Sequence, residues 1–221
     1  KHHRGTEVGR LLAKALRRAG HAADGAALHP TYRMDVTRRS RVMRAGDAVV
    51  ELALDQGTLV AGTRERRICE LEIELKEGDA RSLLELARRW RKRHGLWLDT
   101  VPKSARGEQL ARGVAHGDAT RAKAPRLARH MDGPALFRTA LAACSAQVIG
   151  NASEVAAGSP DPEHVHQLRV GIRRLRTLLR GLDVLNPSAP GEPWDAALVA
   201  CFQALGAQRD RRALACEWQA R

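Results

Sequence analysis

Aromatic residues are scarce in this chain: two Phe, one Tyr and four Trp among 221 residues. Proteins that read single-stranded RNA or DNA stack bases on aromatic faces, and such a platform has too few residues here. Nonspecific duplex binding through phosphates stays compatible with the composition. Cysteine is sparse as well. Cys69, Cys144, Cys201 and Cys216 form no Cys-x-x-Cys pair and no zinc-ligand spacing. This cysteine usage suits a reducing, cytoplasmic compartment. No apolar run approaches the ~20 residues of a membrane span, and no signal-peptide pattern is present. Acidic residues are the minority sign, with 25 Asp and Glu against 38 Lys and Arg, for a net charge of +13. That excess calls for a polyanionic partner: nucleic acid, an anionic surface or a phosphate polymer. Apolar residues make up 43% of the chain, enough for a core built mostly of Leu, Ala and Val. Lys1 is not Met, and a helical pattern runs on to Arg221. We therefore expect a piece of a longer protein.

Strand signals fill the first half. Residues 2–8 read as a short strand, and Gly9–Arg18 as a helix stopped by Gly20. Tyr32–Arg41 reads as a strand with Tyr32, Met34 and Val36 on one face and Arg33, Asp35, Thr37, Arg39 and Arg41 on the other. Val49–Asp55 alternates likewise, with Glu51 and Asp55 on the polar face. Gln56-Gly57 reads as a turn into Thr58–Ala61. Asp79 suits the N-cap of a helix over Ala80–His94, with Leu83, Leu84, Ala87 and Trp90 as its inner stripe and Gly95 as its stop. Residues 113–132 shift to Gly, Ala, Thr and scattered charge and read as a linker. Beyond it the pattern is helical: 133–157, then 161–185, the latter opened by an Asp161 cap with Pro162 in the first turn, then at least one helix over 193–221.

Between Gly57 and Asp79 lies Cys69–Lys76. Its apolar face carries Cys69, Leu71, Ile73 and Leu75, and its charged face Glu70, Glu72, Glu74 and Lys76. Cys69 on that face is expected to be a small buried thiol. Same-face residues stand about 6.5–7 Å apart along a strand, so the three carboxylates repel one another. A solvated, screened strand face accommodates this. An enclosed polar cavity accommodates it differently: carboxylates hold Mg²⁺ or Mn²⁺, and arginines hold phosphate oxygens.

Four motifs in order decide between these settings: Tyr32-Arg33-Met34-Asp35-Val36-Thr37-Arg38, Glu51-Leu52-Ala53-Leu54-Asp55-Gln56-Gly57, Ile68-Cys69-Glu70-Leu71-Glu72-Ile73-Glu74-Leu75 and Lys103-Ser104-Ala105-Arg106-Gly107. Together they resemble the later part of a CYTH domain of the bacterial inorganic triphosphatase type, over residues 1–112. The resemblance implies a triphosphate tunnel, an antiparallel β-barrel whose lumen binds triphosphate and Mg²⁺ or Mn²⁺. It implies phosphate binding by Arg33, Arg39, Arg41, Lys103 and Arg106, metal binding by Glu51, Glu70 and Glu72, and a catalytic role among Glu70, Glu72 and Glu74. The opening Glu-x-Glu-x-Lys strand of that family does not occur in this chain, so the barrel is expected to be incomplete within it.

The second half carries the run His166-Gln167-Leu168-Arg169-Val170-Gly171-Ile172-Arg173-Arg174-Leu175-Arg176. At about 100° per residue, His166, Arg169, Arg173, Arg176 and Arg180 fall within an arc of roughly 80°, in a row about 21 Å long. Leu168, Ile172, Leu175, Leu179 and Leu182 occupy the adjacent arc. No acid interrupts the row between Glu163 and Asp183. Solvated helix faces mix signs to gain i,i+4 pairs, whereas a pure Arg row favours a linear polyanion. His164 and His166 diverge on a helix and are no metal pair. With Leu205-Gly206-Ala207-Gln208-Arg209-Asp210, this run resembles a CHAD domain over residues 133–221. The resemblance implies an all-helical domain that binds inorganic polyphosphate, with His166, Arg169, Arg173, Arg176, Arg180 and Arg209 as its basic residues.

The expectation is thus an α+β protein: a partial triphosphate-tunnel barrel, a linker and a helical bundle. Its expected work is metal-dependent triphosphate hydrolysis joined to polyphosphate recognition, in the cytoplasm and in association with polyphosphate granules. Two other readings follow from the same charges: a polyphosphate-binding module without catalysis, and a nonspecific nucleic-acid-binding protein.

Overall fold

The computed structural model describes residues 5–20, 29–185 and 192–219, with side chains described over 5–20, 29–182 and 194–207. The order is α1 (Glu7–Arg18), β1 (Arg33–Ala45), β2 (Ala48–Ala61), β3 (Arg64–Glu77), α2 (Ala80–His94), α3 (Lys103–Arg112), α4 (Gly133–Ala156), α5 (Pro162–Leu185) and α6 (Glu192–Gln219). Glu7 and Val8 do not extend a strand. They open α1, where the Thr6 hydroxyl accepts from the Gly9 amide at 3.1 Å, as an N-cap does. The rest of that expected strand, residues 1–4, lies outside the described residues.

The strands form one antiparallel sheet in the order β1-β2-β3, with Arg38 opposite Asp55 and Asp55 opposite Glu70. Among the described residues the sheet has three strands and does not close into a barrel. Gln56-Gly57 is not a turn but the middle of β2. A Cβ at position 57 would run into the backbone of Asp35 and Val36, so glycine there permits the close approach of β1. The first hairpin turns at Ala45-Gly46-Asp47, where the sequence places a turn, and the second turns at Gly62, both glycines with positive φ.

The sheet has two unlike faces, each covered at one end by a helix. Val50, Leu52, Ala45 and Ala48 pack against Leu86, Leu83 and Trp90 of α2, with Leu71, Ile73 and Leu75 beside them. Asp79 caps α2 by accepting from the Arg81 amide at 3.0 Å, and Gly95 ends it in the left-handed region. Leu86 holds the inner position expected of Leu84, which is 53% exposed. The stripe runs i, i+3, i+7 from Leu83, which turns Leu84 outward. Cys69 is exposed, contrary to expectation, although it shares that face. The α2 side chains that pack on the sheet meet Leu71, Ile73 and Leu75 and not Cys69. On the other face α3 lies over the far end of β2 and β3, where Leu59 and Ile68 are buried. Gly107 lets the Tyr32 ring lie directly on α3, because any Cβ there would strike it.

Helix α4 packs on α5, and α5 on α6, around Val165, Leu168, Ile172 and Leu205. Asp132 caps α4 at 2.7 Å from the Ala135 amide, and Asp161 accepts from the Glu163 amide at 2.8 Å. No described helix is long and apolar enough to cross a membrane.

The stretch between α3 and α4 is bonded to α4 along its first part. His116 Nδ1 lies 2.8 Å from Glu154, the Gly117 amide donates to Glu154 at 3.0 Å, and Thr120 and Asn151 exchange two hydrogen bonds. Residues 121–124 and 126–130 are exposed. Limited trypsin digestion should therefore cut first at Arg121, Lys123, Arg126 or Arg129, since proteases select exposed, weakly bonded backbone. First cuts at Arg106 or Arg112 would show that the bonded part opens before it.

Candidate functional site

The polar face of the sheet gathers its charges at mid-strand. Asp55 lies at the middle of β2, between Leu54 and Gln56, and is 2% exposed. A buried carboxylate requires partners, and the neighbouring elements supply them. From β1, Arg38 Nε and Nη2 donate to Asp55 Oδ1 and Oδ2, each at 2.7 Å. The same Nη2 reaches Glu72 Oε2 of β3 at 2.7 Å. From the first turn of α3, Lys103 Nζ lies 2.8 Å from Asp55 Oδ2 and 2.7 Å from Glu72 Oε1, and it also pairs with Glu70 Oε1. One turn on, Arg106 pairs with Glu70 Oε2 and lies 3.5 Å from Asp99. The fork of Arg38 holds the Asp55 carboxyl well below the ordinary carboxylate range, against the opposing effect of burial, and Asp55 in turn raises Arg38.

Oxygens of Asp55, Glu70 and Glu72 lie within 4.8 Å of one another. Three carboxylates form a hard donor set suited to Mg²⁺ or Mn²⁺. Their inward oxygens converge on the Lys103 ammonium. A groove of about 1020 Å³, lined by Glu70, Glu72, Thr100, Pro102 and Lys103, runs past this cluster along β3.

The cluster also reaches the helical part. Asp99 Oδ1 accepts from the Ser153 hydroxyl at 3.0 Å, and Ser153 Oγ accepts from the Thr100 amide at 3.0 Å. A chain of polar contacts therefore runs from α4 through Ser153, Asp99 and Arg106 to Glu70.

Of the residues singled out from the sequence, the structure brings together Glu70, Glu72, Lys103 and Arg106. It sets Glu51 and Glu74 further along the same face, both on Lys76, at 2.6 and 3.1 Å. The hydrogen bond from Lys76 lowers the Glu51 carboxyl. Arg33, Arg39 and Arg41 stand on the opposite face, because Arg39 and Arg41 pair with Leu54 and Leu52 while Arg38 pairs with Asp55. Arg38 and Asp55 were not among the expected site residues. Asp55 carried a readable signal, an acid on the same alternating face as Glu51 and preceded by the apolar run Leu52-Ala53-Leu54. Arg38 carried none, since Arg38-Arg39-Ser40-Arg41 has no alternation to fix its face.

On α5 the basic row is present. His166 is exposed, whereas His164 is buried, with Nδ1 2.8 Å from the Ser159 hydroxyl. The Arg169 guanidinium lies 4.5 Å from the centre of the Phe202 ring of α6, and that of Arg173 lies 5.8 Å from it. Arg176 forks onto Asp195 of α6 at 2.6 and 3.2 Å, and Arg180 reaches the same carboxylate at 3.1 Å. The hydrogen bond from Arg176 lowers the Asp195 carboxyl to about 2. An acid distant in sequence thus enters a row that is acid-free along its own helix. The side chain of Arg209 lies outside the described residues.

Residues 139–221 match the CHAD domain family. A stretch of 83 residues is 29% identical to a protein of Haemophilus influenzae named inorganic triphosphatase; it covers 38% of this chain and 24% of that relative. The chain thus aligns with about a quarter of the relative's length.

Proposed function

We propose that this chain handles linear condensed phosphates. Residues 1–112 serve as a triphosphatase-like part, 113–132 as the joint, and 133–221 as a polyphosphate-binding part. The observation that carries this reading is the cluster on the sheet, where Asp55, Glu70 and Glu72 share one face with Arg38, Lys103 and Arg106. The name of the Haemophilus influenzae relative and the family match of the helical part support it. Each half also holds a spare anion donor: Arg106 Nε and Arg169 Nε are buried without a hydrogen-bond partner among the described residues.

In this reading Asp55, Glu70 and Glu72 would hold the Mg²⁺ or Mn²⁺ ion. A divalent ion there supplies polarisation of a phosphate oxygen and a water of lowered pKa. Arg38 and Arg106 orient the carboxylates through their outward oxygens, and Lys103 and Arg106 face phosphate across the groove. Glu74 and Glu51, engaged by Lys76, shape the field at the end of the site.

The test is phosphate release from tripolyphosphate with and without Mg²⁺ or Mn²⁺. Release should require the ion, stop in chelator, and fall by about a hundredfold or more in Glu72→Ala. Release that persists in chelator, or in that variant, overturns the metal-dependent reading. A second reading, binding without hydrolysis, is favoured by the three-stranded sheet, which does not close among the described residues. Tight tripolyphosphate binding with no release would decide for it.

A further inference from the structure

The hydrogen bonds of the carboxylate cluster are divided with a regularity that has a chemical meaning. Asp55, Glu70 and Glu72 each give one oxygen to Lys103: Oδ2, Oε1 and Oε1. Each gives its other oxygen to a guanidinium: Asp55 Oδ1 and Glu72 Oε2 to Arg38, and Glu70 Oε2 to Arg106; Asp55 Oδ2 alone is shared, since Arg38 Nη2 also donates to it. An ammonium has three donors and no acceptor, and here the three donors meet three carboxylates. The outer guanidiniums fix the carboxylates as second-layer partners fix metal ligands. The inner oxygens enclose the space of a single cation.

We propose that the Lys103 ammonium and a divalent metal ion compete for this one position, so that metal enters only as Lys103 withdraws. This rests on the metal site proposed above. Two cations cannot share the position. At about 3 Å their repulsion amounts to several kcal/mol even at an effective dielectric constant near 20. Arg38 and Arg106 need not move: each holds an outward oxygen, and the added bond of Arg38 Nη2 to Asp55 Oδ2 uses one lone pair of that oxygen and leaves the other to the central cation. Lys103 can move. It is the first residue of α3, carries a flexible four-carbon stem, and borders the groove between Thr100, Pro102 and Glu72. Three cations stand against the carboxylates of Asp55, Glu70, Glu72 and Asp99, so the cluster is net negative by one charge and does not attract polyanions by itself. Exchange of the ammonium for a divalent ion adds positive charge and frees Lys103 for phosphate oxygens in the same groove.

The competition has a signature independent of turnover. Metal affinity is reduced by the fraction of time the position is taken. The experiment is Mn²⁺ titration of the whole chain, without phosphate, followed by electron paramagnetic resonance of the free ion. Lys103→Met should bind Mn²⁺ at least tenfold tighter than the unmodified protein. Lys103→Arg, which keeps a cation, should not gain affinity, and neither should Lys76→Met, which relieves only Glu51 and Glu74. The melting temperature of Lys103→Met should fall without Mn²⁺ and recover when it is added, which establishes that the variant folds. Equal Mn²⁺ binding by the unmodified protein and Lys103→Met overturns the competition and leaves the metal site standing. No Mn²⁺ binding by either overturns both.

Discussion

Replacing Arg38 and Lys103 together by methionine should lower the thermal midpoint by roughly 5–10 °C, and adding Asp55→Leu should restore most of the loss. Asp55 is almost fully covered, and these two side chains are its cationic partners. Without them a carboxylate is buried and uncompensated, which destabilises far more than an apolar residue at the same place. Glu70 keeps Arg106 and Glu72 has access to water, so the loss concentrates at Asp55. The loss stays in the lower range because Arg38 is half exposed and screened. The pH dependence separates this from general damage. In the unmodified protein the Asp55 carboxyl is depressed. Its contribution to stability is therefore complete above the unfolded value, about 4, and fades as the pH falls through the depressed one. In the double variant, burial alone acts and raises the carboxyl. The folded state then binds the proton more readily than the unfolded one, and stability rises as the pH is lowered toward that of the unfolded carboxyl. Thermal melts of the unmodified protein and the two variants between pH 4 and pH 8 read both effects. A double variant as stable as the unmodified protein, or a triple variant no better than the double, would show that the cluster contributes nothing by its pairing.

What the sequence reveals and what it hides divides along range of interaction. The ends of α2, α4 and α5 are set by local chemistry, the caps Asp79, Asp132 and Asp161 with Gly95 as a stop, and their limits are readable to within a residue. The charged face of β3 is readable because Glu70–Lys76 alternates without a break. The face of β1 is not. Beyond Val36 both sides of that strand are polar, and only pairing of Arg38 with Asp55 across the sheet decides which arginine meets the carboxylates. The extended run of β2 through Gly57 is hidden for a similar reason, since the glycine answers to the backbone of β1 and not to a turn. Likewise Asp195 joins the α5 row through tertiary packing of α6. The run Lys103-Ser104-Ala105-Arg106-Gly107 marks Lys103 and Arg106 as candidates, but the sharing of three carboxylates around one ammonium arises only when the chain is folded.

Arg173→Glu should weaken binding of long-chain polyphosphate by about tenfold or more, while Asp195→Asn should strengthen it. Along α5 the five basic side chains are not equivalent. Arg176 and Arg180 already share the Asp195 carboxylate, and a polyanion must compete with it for them. Arg169 and Arg173 lie over the Phe202 ring, which orients a guanidinium by its π-face and leaves its edges to donate. Arg173 is the exposed one of that pair and stands at the middle of the row. Exposed ion pairs contribute up to about 1 kcal/mol each. Reversing a central charge removes one and adds repulsion of similar size, and about 1.4 kcal/mol corresponds to a factor of ten. The natural neighbour for a control, Arg174, is unsuitable: its Nη1 donates to the buried Gln147 at 2.6 Å, so reversal there would disturb the packing of α4 on α5. Arg138, exposed on α4, changes the net charge equally and leaves the row alone. Titration of Arg173→Glu, Arg138→Glu and Asp195→Asn at two salt concentrations checks the assignment. The row predicts a large loss, a small loss and a gain, with the differences shrinking at high salt as screening removes the field. Equal losses in the two Arg variants would assign affinity to overall charge. Loss of affinity in Asp195→Asn would show that the carboxylate holds Arg176 in its binding position and does not compete for it.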